Sequence, residues 1–206
     1  MKKDQFQETE IKFLIDNLPL FEKRVKDIGA VLHRARTYEL NFRFDTPDQR
    51  LTKQFQVLRL RQDQSVHLAF KGAADPSSEV SVRQEIEFEV SDPASARQFL
   101  EALGYQVTIT YEKYRTTYFL GDTEIVLDEL PYGNFVEIEG PDLPSIKNIA
   151  ASLKLNWKDR IKLGYLTIFI QLKEKFNLNA SNLLFSELKN CTYSLAEFFP
   201  GEINGE

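Results

Sequence analysis

Glu8-Thr9-Glu10-Ile11-Lys12-Phe13 reads as a strand with two faces. Side chains alternate across a strand, so Glu8, Glu10 and Lys12 share one face while Thr9, Ile11 and Phe13 share the other. The same alternation returns in Val57-Leu58-Arg59-Leu60-Arg61, His67-Leu68-Ala69-Phe70-Lys71 and Arg83-Gln84-Glu85-Ile86-Glu87-Phe88. It returns again around Lys113-Tyr114-Arg115, in Val126-Leu127-Asp128 and in Phe135-Val136-Glu137-Ile138-Glu139. One charged strand face is a solvated edge. Many of them, each with an apolar reverse, predict an α+β chain built on an antiparallel, closed or nearly closed eight-stranded β-barrel. Its apolar faces pack outward under helices and its charged faces line a lumen. The competing reading is an open, water-facing sheet laced by cross-strand salt bridges.

The lumen predicted by strand parity collects the bases Lys12, Arg59, Arg61, Lys71, Arg83, Lys113 and Arg115. It also collects the acids Glu8, Glu10, Glu85, Glu87, Asp128, Glu137 and Glu139. Arginine forks and lysine point charges suit phosphate oxygens. Clustered carboxylates suit hard divalent cations such as magnesium or manganese. Both together fit a metal-bound polyphosphate.

The 206 residues suit one large domain, or one domain plus an appendage, and a hydrophobic fraction of 42% is enough for a real core. A net charge of -5 and a pI near 5.3 argue against bulk nucleic-acid binding, which needs a dominant basic field. With one cysteine, Cys191, no intrachain disulfide forms. Cys191 has no His or Cys at metal-ligand spacing and reads as a small buried apolar residue. Met1-Lys2-Lys3-Asp4-Gln5 leads into a charged strand rather than an apolar stretch, so a cytoplasmic protein with no membrane span is expected.

An internal echo appears at an offset of 75 residues, where Glu10-Ile11-Lys12-Phe13 matches Glu85-Ile86-Glu87-Phe88 and Gly29 matches Gly104. Each copy reads strand, helix, glycine stop, strand. Asp16 or Asn17 caps the first helix and Ser91 or Asp92 the second, with Pro19 and Pro93 in their first turns. Such a repeat predicts two similar halves around a pseudo-symmetric tunnel. Turns fall at Asp45–Arg50, Asp63–Ser65, Gly72–Ser78, Gly121-Asp122 and Pro131–Asn134. A third helix is expected from about Pro144 to Leu153. A fourth, from Gly164 to about Phe176, has Leu166, Phe169, Ile170 and Phe176 on its apolar side. Residues 1–176 read as the barrel domain and 177–206 as a C-terminal extension. The extension has short helices and a frayed end after Pro200, and it packs over a barrel end or makes a homodimer contact.

The ordered motifs resemble the CYTH superfamily, also called triphosphate tunnel metalloenzymes. They are Glu8-x-Glu10-x-Lys12, Asn41-Phe42-Arg43-Phe44-Asp45-Thr46-Pro47-Asp48, Leu58-Arg59-Leu60-Arg61, Phe70-Lys71-Gly72, Arg83-x-Glu85-x-Glu87, Glu112-Lys113-x-Arg115, Leu127-Asp128-Glu129-Leu130 and Gly133-x-Phe135-Val136-Glu137-Ile138-Glu139. The last two resemble the group labelled class IV adenylyl cyclases. One departure is Gly164-Tyr165, where the family often has Ser-Tyr.

The resemblance implies that Glu8 and Glu10 hold a divalent metal, with Asp128, Glu137 and Glu139 completing metal sites. It implies that Lys12, Arg59, Arg61, Lys71, Lys113 and Arg115 grip the triphosphate. Arg83 joins the grip or orients it through ion pairs, and Glu85 and Glu87 support these groups or form a second carboxylate pair. Glu8, Glu10 and Lys12 form the catalytic set, with Lys12 the first candidate for a lysine whose pKa the surrounding bases lower. The substrate implied is tripolyphosphate, ATP or a similar small molecule. It is hydrolysed by a triphosphatase or cyclised by an adenylyl cyclase with release of pyrophosphate. A non-catalytic polyphosphate or nucleotide binder and a structural ion-pair-filled barrel are the other readings. His67 faces the lumen by parity but reads as structural, His33 as a surface residue, and Tyr114 and Tyr118 as core.

Overall fold

The protein is described by a computed structural model over residues 7–199. The expected fraying after Pro200 lies outside these residues. The first half runs β1 (Gln7–Ile15), α1 (Leu18–Asp27), β2 (Val31–Asp45), α2 (Arg50–Lys53), β3 (Val57–Gln62) and β4 (Val66–Lys71). The second runs β5 (Ser81–Glu89), α3 (Pro93–Ala102), β6 (Gln106–Leu120), β7 (Thr123–Leu130), β8 (Gly133–Glu139) and α4 (Leu143–Ser152). A 3₁₀ turn (Trp157–Asp159), α5 (Tyr165–Phe176), α6 (Phe185–Leu188) and α7 (Leu195–Phe198) follow.

The strands are antiparallel and close a ring in the order β1-β5-β4-β3-β2-β6-β7-β8, with β8 returning to β1. The expected barrel is found, and so is the expected repeat. The bounds of α1 and β2 recur 75 residues later in α3 and β6, and exchanging each strand with its counterpart reproduces the ring. Asn17 accepts from the amide of Leu20, and Asp92 from those of Ala94 and Ser95. Each helix is followed by a glycine at positive φ, +87° at Gly29 and +89° at Gly104, a conformation that costs a Cβ-bearing residue energy.

The outer faces form two cores. Ile11, Phe13, Val136, Ile138 and Ile125 pack under α1 and α4 with Phe21, Val25, Ile146 and Ala150. Phe44 and Leu60 pack under α3 with Leu100. A third cluster closes one end of the barrel. Leu14, Tyr111, Leu130 and Phe135, all of lumen parity, meet Ile168, Phe169 and Leu172 of α5 and Leu178, Leu183 and Leu188 of the tail. The tail is stitched to β6 as well, for Leu183 exchanges backbone hydrogen bonds with Thr110 and Glu112. It thus covers the barrel at that end.

Three details differ from expectation. Ile170 is 48% exposed, because the stripe facing the barrel is Ile168, Phe169 and Leu172, and Ile170 lies about 100° round from Phe169. Cys191 is half-buried on the rim of the third cluster, with its thiol against the Glu187 carbonyl. Tyr114 is half-buried rather than core: its ring lies between the Arg36 guanidinium, 3.5 Å away, and Phe185. Tyr118 is buried as expected. Among the described residues, no helix is long and apolar enough to cross a membrane.

Candidate active site

Register fixes what shares the lumen. Glu8 faces Arg83, Lys12 faces Glu137, Lys71 faces Glu85, Arg43 faces Arg59 and Arg115 faces Asp128. Directly opposed residues project to the same side of a sheet. All fourteen charged residues predicted by parity therefore lie on one inner face. The same face carries Glu39, Asn41, Arg43, Tyr111 and Glu124, which the sequence reading did not assign to the lumen.

The charges form a continuous network. Glu8 accepts from Lys71 at 2.7 Å and Arg83 at 2.9 Å, and Arg83 reaches Glu10 at 3.0 Å. Lys12 sits between Glu10 at 2.7 Å and Glu137 at 3.0 Å. Arg115 grips Asp128 with two nitrogens, at 2.7 and 2.6 Å, and Lys113 and the Tyr165 hydroxyl donate to the same carboxylate at 3.1 and 2.9 Å. Glu87 holds Arg59 at 3.1 Å and Arg61 at 2.9 Å, while Lys71 reaches Glu85 at 3.0 Å. Glu85 and Glu87, on β5, thus pair with a base of adjacent β4 and with two of β3, one strand beyond.

Proton affinities follow from these contacts. Burial alone would lower the Lys12 pKa, but Glu10 and Glu137 outweigh it and raise it above the ordinary lysine value. The expectation that surrounding bases lower it is corrected: Lys12 meets two carboxylates and stays a cation. Burial would raise Glu39, yet Lys113 and Arg115 hold it down to about 2. Likewise, Lys12 and Arg115 keep Glu137 well below the carboxylate range despite its burial. Glu139 goes the other way. Burial, then Glu8, Glu124, Glu137 and Glu10, push it up to about 8.

That shift marks the acidic wall. Glu10, Glu139 and Glu124 stand directly opposite one another on β1, β8 and β7. Like charges so placed repel, and a divalent cation would relieve them. Hard carboxylate oxygens match magnesium or manganese, so Glu8, Glu10, Glu137 and Glu139 fit that role and Glu124 joins them. Among the described residues no three acidic, histidine or cysteine side chains already converge on one point, because most of these acids are turned to bases. Asp128 in particular is fully buried beneath Arg115, Lys113 and Tyr165.

The opposite wall is basic. Asn41 pairs in register with Arg61, and the buried Nε atoms of Arg43, Arg59 and Arg61 and both amide atoms of Asn41 have no hydrogen-bond partner. Tyr111 lies beside this wall, where Arg59 and Lys113 overcome the effect of burial and lower its phenol pKa. His67 is tied to Ser65 at 2.7 Å and Glu87 at 3.5 Å, consistent with a structural role, and His33 is exposed, edge-on to Phe119. Gly164 opens α5 without a capping side chain.

Comparison with known proteins gives the same picture. A protein of Methanocaldococcus jannaschii named "Putative adenylate cyclase" is 26% identical over 180 residues, covering 86% of this chain and 93% of that one. A Vibrio parahaemolyticus crystal structure with the same description superposes with a TM-score of 0.71 at 27% identity, covering 81% of this chain and 98% of that one. A Hippeastrum structure superposes with a TM-score of 0.60 at 17% identity, covering 80% and 95%. That plant protein is described as an adenylyl cyclase candidate with a dominant triphosphatase activity. The family defined by the CYTH domain matches residues 7–143, which include every charged strand of the lumen, and the chain belongs to that family.

Proposed function

We propose that the protein is a divalent-metal-dependent enzyme that binds a triphosphate in the barrel lumen and hydrolyses it, acting on inorganic or organic triphosphates. One observation carries this reading: a wall of guanidinium and amide groups with unpartnered buried donors faces a row of mutually repelling carboxylates. A polyphosphate satisfies the first wall and a cation the second. A mere anion binder has no use for the acids.

In this reading Arg59, Arg61, Lys71, Arg83, Lys113 and Arg115 hold the phosphate oxygens, and Lys12 neutralises charge beside them as a fixed cation. Glu8, Glu10, Glu137 and Glu139 hold magnesium or manganese, with Asp128 anchoring the bases near them. The metal supplies charge neutralisation and makes a bound water or hydroxyl more acidic. The chain's own contribution is positioning and preorganised charge, the main source of catalysis in phosphoryl transfer. The barrel domain spans 1–176, with 177–206 as its extension.

A second reading, an adenylyl cyclase making cyclic AMP and pyrophosphate from ATP, is favoured by the names of the archaeal and Vibrio relatives. The Hippeastrum protein, cyclase by name and triphosphatase by activity, favours the first. Incubating the protein with ATP or tripolyphosphate, with and without magnesium or manganese, separates them. Metal-dependent release of phosphate from tripolyphosphate supports hydrolysis, cyclic AMP with pyrophosphate makes it a cyclase, and retention without turnover sinks both.

A further inference from the structure

We infer that Asn41 and Arg43, on β2, form an additional anion subsite with Arg59 and Arg61 that holds the terminal phosphate and makes the lumen selective for polyphosphate length. This rests on the triphosphate reading above. Asn41 is fully buried, yet neither its amide nitrogen nor its amide oxygen has a partner. Native interiors rarely leave such a group unsatisfied unless something else binds it. Arg43 stands apart from the other lumen bases. Lys12, Arg59, Arg61, Lys71, Arg83, Lys113 and Arg115 each hold a carboxylate. Among the described residues the Arg43 side chain pairs with no carboxylate, and the one hydrogen bond of its guanidinium is to the Gln56 carbonyl. An anion can therefore engage it without breaking an ion pair.

Geometry joins the two. Asn41 is opposite Arg61 and Arg43 opposite Arg59, so four unpartnered donors form a two-by-two patch on adjacent strands. Burial, first, and then the positive charges of Arg83 and Arg59 lower the Arg43 pKa, so an anion placed here would offset both. A terminal phosphate offers three acceptor oxygens, enough for a patch of this density. The Asn41 oxygen is left to accept from a water carried in with the phosphate. The patch on β2 and β3 lies across the ring from the acidic wall on β1, β8 and β7, so a longer anion is needed to engage both.

The test is titration of the magnesium-loaded protein with tripolyphosphate, pyrophosphate and phosphate, on wild type, Asn41→Leu, Arg43→Met and Arg43→Lys. Wild type should prefer tripolyphosphate to pyrophosphate. Asn41→Leu and Arg43→Met should each weaken tripolyphosphate by about 10-fold, the loss of one charge-assisted contact, and leave pyrophosphate unchanged. Arg43→Lys should recover part of the preference. Asn41→Leu should also melt no lower than wild type without ligand, because it removes an unsatisfied amide. Asn41→Ala makes the same comparison if leucine is not accommodated. An unchanged preference in the folded variants overturns the subsite. Failure of wild type to bind any of the three anions overturns the triphosphate reading itself, which is a different result.

Discussion

Glu139 sits opposite two other glutamates, and among the described residues no base pairs with it. Its folded pKa of about 8 lies above the 4.5 of an ordinary glutamate. The folded state therefore keeps a proton that the unfolded chain has already lost. The contribution to stability is full below about 4.5 and disappears as pH rises through about 8. Metal-free wild type should lose thermal stability over that window relative to Glu139→Gln, and magnesium affinity should rise over the same window as the proton leaves. Parallel melting curves at several pH values check this. Arg59 gives a simpler expectation: Arg59→Ala should cost about 1.5–3 kcal/mol of tripolyphosphate binding, read by calorimetric titration, with little effect on folding. Charged residues in clean alternation were legible from sequence. Glu39, Asn41 and Arg43 alternate with Leu40 and Phe42 in unbroken register too, but this stretch entered the reading only as the Asn41–Asp48 motif and its polar face was not counted with the lumen. Glu124 was masked by its place beside the Gly121-Asp122 hairpin turn.

At the scale of elements, the motif Phe44-Asp45-Thr46-Pro47 shows an acid that serves the frame of the barrel. Asp45 is buried and accepts from the amides of Thr46, Leu51 and Thr52 and from the Thr52 hydroxyl, so it builds the corner that starts α2. Asp45→Ala should destabilise by roughly 3 kcal/mol in urea unfolding, given charge-assisted bonds to a buried carboxylate. Sequence saw the turn but not the short helix, which four residues of weak periodicity could not announce. α5 was placed correctly, but the helical pattern gave no sign that Tyr165 enters the lumen, because tyrosine fits an apolar stripe as well as a polar one. Its first turn is also improvable. A Cβ on Gly164 meets nothing within 4 Å and the backbone is extended there, so serine fits. Gly164→Ser should raise stability by about 0.5 kcal/mol through capping. If a hydroxyl at this position also binds phosphate, tripolyphosphate affinity should rise with it.

For the whole molecule, closure was readable because charge on alternate positions of so many strands requires a shared interior, and the 75-residue echo foretold the two halves. The pairing of β1 with both β5 and β8 was not readable, since strand order around a ring depends on long-range contacts that leave no local signature. The boundary read from the sequence at Phe176 falls at the end of α5. Asn177 ends α5 in a left-handed conformation, which looks like a domain stop, but the chain then returns to the barrel. Leu178, Leu183 and Leu188 are buried against α5 and the closed end. Fully burying a leucine contributes about 1.5–3 kcal/mol, so ending the chain after Phe176 should cost on the order of 5 kcal/mol, even allowing for partial burial in the unfolded chain. It also exposes the apolar patch around Tyr111 and Phe135 at the floor of the lumen. The truncated protein should melt well below the full chain and bind tripolyphosphate more weakly in proportion to its unfolded fraction. A truncation that melts with the full chain and keeps its affinity would show that 177–206 is an appendage to a self-sufficient barrel.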